Sequence, residues 1–119
     1  MDNGPIVKRA IRRIGGAIEG YALSQGWSPG DFRWYYRAQP ECGHIHIILV
    51  ASAFKGRDYA ASYRAVMNYL RKELAEEPGL FESIGLALRD FDQVDEGGIY
   101  AIGPDYEDAW PASPVAPAK

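Results

Sequence analysis

Apolar residues near the start of the chain fall at Val7, Ile11, Ile14, Ile18 and Tyr21. The steps of four, three, four and three place them on one face of a helix. A helix is therefore predicted over Ile6 to Ser24, with Pro5 suited to its first turn and Lys8, Arg9, Arg12 and Arg13 off the apolar stripe. Gly15 and Gly16 each cost such a helix roughly 1 kcal/mol relative to alanine, so they either weaken it or mark close packing against another element. Gly26 and the turn-forming Ser28-Pro29-Gly30-Asp31 end it. The period then drops to two. Phe32, Trp34 and Tyr36 alternate with Arg33, Tyr35 and Arg37, which predicts a strand over Phe32 to Ala38. Gln39 to Gly43 connects it to an antiparallel partner, His44 to Ser52. The unbroken Ile47-Ile48-Leu49-Val50 centre of that partner predicts a central strand buried on both faces.

Downstream, Asp58 is placed to cap a helix running to about Glu77. Its stripe is Tyr59, Tyr63, Val66, Met67, Leu70 and Leu74, again at steps of three and four. Pro78-Gly79 is expected to stop it. Ser83 to Phe91 reads as a third strand, Asp95 to Gly98 as a turn, Ile99 to Ile102 as a short fourth strand and Asp105 to Trp110 as one helical turn. The pattern predicts an α+β fold, a small mixed sheet with helices on one face, as one domain over 1–110. The Pro- and Ala-rich segment 111–119 is expected to be a disordered tail.

Composition narrows the function classes. At 119 residues the chain can bury a core without staples. A net charge of −3 argues against a general nucleic-acid coat, which needs a clustered basic surface. The single cysteine excludes an internal disulfide. There is no signal-peptide pattern and no run of roughly 20 apolar residues, so a soluble cytoplasmic protein with no membrane partner is expected.

Two sets of residues suggest chemistry. Cys42, His44 and His46 lie at i, i+2 and i+4. On an extended strand all three would share a face, and this donor set suits zinc or iron. The alternative is that Gly43 turns the chain and the three residues are scaffold. Arg9, Arg12 and Arg13 on the first helix, with Arg33, Trp34, Tyr35 and Arg37 on the first strand, form the candidate nucleic-acid or partner-binding set. Arginine offers contacts to phosphate and the aromatic rings offer stacking. The alternative there is a solvated helix face and a half-buried strand. Other motifs fail. Gly15, Gly16 and Gly20 follow no strand and lack the Lys-Ser/Thr of a phosphate loop. Asp90, Asp92, Asp95 and Glu96 lack the spacing of a calcium loop. No serine or cysteine has a base suitably placed beside it, so no catalytic residue is assigned and the protein is read as a non-enzyme.

The stretch from His44 through Ser52 to Phe54-Lys55-Gly56 resembles the signature of the BolA-like family. Arg64-Ala65-Val66, Leu70 and Glu73-Leu74 follow in its register, and Cys42-Gly43 resembles the hairpin loop of some members. The likeness covers 42–74 by motif and the rest by element order. It implies a type II KH-like fold and a non-enzymatic adaptor or regulator linked to iron–sulfur or redox handling, with a monothiol glutaredoxin-like protein as partner. It implies a shared cluster held by a loop Cys or His, here Cys42 with His44 as substitute. The family's second histidine has no counterpart, because no histidine follows His46. On the residues alone, then, no cofactor is expected. The alternatives carried forward are a small interaction module or homodimer without metal, and a weak nucleic-acid binder acting through the first helix.

Overall fold

The computed structural model describes residues 4–108. Helix α1 spans Gly4–Ser24. Strands β1 (Phe32–Gln39) and β2 (His44–Ala51) follow as an antiparallel hairpin, in register from Phe32↔Ala51 to Gln39↔His44. A single 3-10 turn, Pro40–Cys42, joins them, and Gly43 closes it at φ 68°, a left-handed conformation that glycine adopts without penalty. Helix α2 spans Tyr59–Glu73, and the Asp58 carboxylate accepts a hydrogen bond from the Ala61 amide at its N-terminus. Helix α2 stops short of the predicted Glu77: Leu74 caps it, and Pro78 begins a separate helix, α3 (Pro78–Glu82). Proline fits a first helical position because its missing N–H would be unpaired there in any case.

Strand β3 (Ile84–Arg89) returns parallel to β2, and the sheet order is β3-β2-β1-β4. The α+β class and the central place of β2 are as the sequence predicts. The C-terminal part departs from expectation. Residues 91–96 form a short helix, α4 (Phe91–Glu96), held by a reciprocal box in which Asp90 and Gln93 each accept from the other's amide. The predicted strand at Ile99 to Ile102 is instead a 3-10 turn, Gly98–Tyr100, followed by irregular chain. Where a helical turn was expected from Asp105, Glu107–Asp108 is extended and forms β4, paired antiparallel with Tyr35 and Tyr36. The predicted tail 111–119 lies outside the described residues.

Alternation along the strands separates two faces. Trp34, Ile47, Leu49 and Leu88 point to the side where Ile14 and Ile18 of α1 and Val66 and Leu70 of α2 complete the core. Burying each such aliphatic side chain contributes roughly 1.5–3 kcal/mol, so this layer dominates stability. The opposite face carries Arg33, Tyr35 and Arg37 from β1, His46, Ile48 and Val50 from β2, and Arg89 from β3. Ile48 and Val50 are nevertheless only 6% and 1% exposed. The chain between β3 and β4 has to pass from one sheet edge to the other, and it passes on this side. Tyr100 meets the Arg89 guanidinium at 5.2 Å, and Tyr106 meets that of Arg37 at 5.0 Å.

Candidate functional site

The end of the hairpin gathers the donor side chains. Cys42 is a free, exposed thiol on the 3-10 turn, and the left-handed Gly43 separates it from the strand. The strand-wide alignment of Cys42 with the two histidines therefore does not form. His44 and His46 do share a face, with rings stacked at 5.9 Å. His46 Nε2 also meets Gln39 Oε1 at 3.0 Å. Burial, then the nearby Arg37 and His44, hold the His46 imidazole below its ordinary pKa, which favours the neutral ring. Among the described residues no group of three His, Cys, Asp or Glu side chains is placed to hold a metal ion. These residues do not close a metal site by themselves. Cys42 and His44 are both exposed at the hairpin end, and thiolate and imidazole are donor types that suit zinc or iron.

Beside the donors lies an apolar cleft of about 340 Å³. Ile6, Val7 and Ala10 of α1 form one wall, Leu80 of α3 faces them, and Ala38 and Ile45 of the hairpin contribute from the sheet, with Gly43 and His44 also lining it. Ile6 is 71% exposed. The cleft escaped the sequence reading because its walls come from three separated segments.

The basic and aromatic candidates do not form one surface. Glu77 pairs with both Arg9 and Arg13 at 3.1 Å, and Arg13 also donates to the Glu73 carbonyl at 3.0 Å. These contacts tie α1 to the end of α2 and to Glu77 just before α3, each such pair near the surface contributing roughly 0–1 kcal/mol. Arg33 and Arg37 lie on the far side of the sheet, paired with Asp108 at 3.7 Å and Asp105 at 2.7 Å. Hydrogen bonding to Arg37 pulls the Asp105 carboxyl below its usual pKa. The Trp34 expectation is corrected: its ring is 0% exposed within the core and cannot stack on a partner. Strand alternation points it with Phe32 toward the helices, whereas Tyr35 faces the other way.

No protein-family model, curated protein or solved structure matches this chain.

Proposed function

We propose that the protein is a non-catalytic adaptor that docks a partner protein at the hairpin end, on the BolA-like pattern, with Cys42 and His44 as its contribution to a shared metal or iron–sulfur site. The observation that carries the reading is the proximity of exposed soft donors to an apolar cleft: His44 and Gly43 line the 340 Å³ space, and Cys42 adjoins Gly43. An apolar wall supplies area for association and the donors supply specificity. The order helix, hairpin, helix, parallel third strand also agrees with the fold that the 42–74 resemblance implies.

Titration with a cluster-loaded monothiol glutaredoxin, followed by visible circular dichroism and metal analysis, tests it. A new spectrum that is lost in Cys42→Ser and weakened in His44→Ala is expected. An unchanged spectrum rejects the shared site, and a complex that forms equally well in both variants leaves a metal-free interaction module as the reading.

A further inference from the structure

The segment after α4 makes an unusual set of contacts on the sheet face away from the helices. Asp105 pairs with the Arg37 guanidinium at 2.7 Å while the Tyr106 ring lies 5.0 Å from its centre. Asp108 pairs with Arg33 at 3.7 Å, and the Tyr100 ring lies 5.2 Å from the centre of Arg89. The arginines of this face thus receive carboxylates and planar rings from one stretch of irregular chain. A single-stranded nucleic acid offers the same two kinds of group, as phosphates and bases.

The stretch is lightly held. Gly97 and Gly98 begin it at φ 81° and 62°, so the chain turns onto this face through backbone conformations at which only glycine is at ease. Ile99 is 86% exposed, and β4 is two residues long with both exposed. Exposed ion pairs contribute roughly 0–1 kcal/mol each, so opening here is far cheaper than global unfolding.

We propose that residues 97–108 are a releasable acidic strap, and that the face beneath it, with Arg33, Tyr35, Arg37 and Arg89, binds single-stranded nucleic acid when the strap lifts. The acidic chain as a whole does not oppose this, because the strap itself supplies local negative charge over the face in the closed form. An acidic aromatic peptide is the competing ligand.

The test uses the full chain and a fluorescein-labelled oligothymidylate, read by anisotropy at low salt. Asp105→Asn/Asp108→Asn loosens the strap and is expected to tighten binding about ten-fold over wild type, with affinity falling steeply as salt rises. Adding Arg37→Ala should abolish the gain. Equal binding by wild type and the double variant overturns the proposal, as does a gain that survives Arg37→Ala. Binding of a peptide of residues 99–108, without binding of the oligonucleotide, overturns it in favour of an acidic peptide ligand. If the double variant folds poorly, Tyr106→Ala, which removes the ring over Arg37 and leaves both carboxylates, is read by the same criteria.

Discussion

Gly20 of α1 sits directly beneath the Tyr69 hydroxyl of α2: a Cβ at position 20 would lie 2.8 Å from that oxygen. The Tyr69 ring in turn meets the Tyr21 ring edge-on at 5.5 Å. The two helices approach this closely because one of them lacks a side chain. Gly16, one turn earlier, has nothing within 4 Å of the same hypothetical atom. The two glycines are equal in helix propensity and opposite in surroundings. Gly16→Ala is expected to stabilise the fold by roughly 0.5–1 kcal/mol. Gly20→Ala should gain less or lose stability, because Tyr69 has to move against Tyr21. Urea midpoints of the two variants check this, and equal gains would refute the close contact.

Trp34 gives a second contrast. Its ring fills the core, yet its Nε1 has no hydrogen-bond partner among the described residues. Trp34→Ala is expected to cost about 3–5 kcal/mol. Trp34→Phe loses packing but also removes a buried donor whose desolvation costs about 1–3 kcal/mol, so it should cost less than half as much. Tyr35→Ala, on the opposite face, should be milder than Trp34→Ala. Thermal melts of the three variants decide the order.

Stability should depend on pH through His46. Its surroundings are Arg37 and Gln39 of β1, His44 of its own strand and the Gly85 backbone of β3. The folded protein holds this imidazole below the unfolded value of about 6.5, so the unfolded chain binds more protons as pH falls through that range. The stability present above pH of about 6.5 is therefore lost progressively below it. The urea midpoint should fall between neutral and mildly acid pH. His46→Gln should show a smaller fall over the same interval, and an identical fall would assign the effect elsewhere.

The periodic segments were legible in the sequence because each follows from local spacing. The α1 stripe, the alternation in β1, the apolar β2 and the Asp58 cap all needed only neighbours within a turn or a strand. The C-terminal elements were not legible in this way. Ile99 to Ile102 has strand-like composition, but Gly97 and Gly98 bend the chain over the sheet rather than along an edge. Glu107 and Asp108 have poor strand propensity and pair with β1 beside Tyr36, which hydrogen-bonds Glu107 at 3.2 Å, and Arg33, which meets Asp108. That pairing is a tertiary choice. Of the candidate site residues, His44 and His46 share a face as alternation requires. Cys42 is set apart by one glycine dihedral, and the cleft beside it depends on three distant segments.

The sheet order has a kinetic meaning. The β1–β2 hairpin closes a short loop and is the cheapest pairing in chain entropy. β3 pairs with β2 across the whole of α2 and α3, a longer loop to close, and is expected to follow the hairpin. β4 comes last, since Glu107 meets Tyr36 across 71 positions of sequence. Assembly is therefore expected to proceed outward from β2, with the C-terminal segment docking last. Substitutions at Ile47 or Leu49 should slow refolding, whereas those at Asp105 or Asp108 should act on the unfolding rate alone.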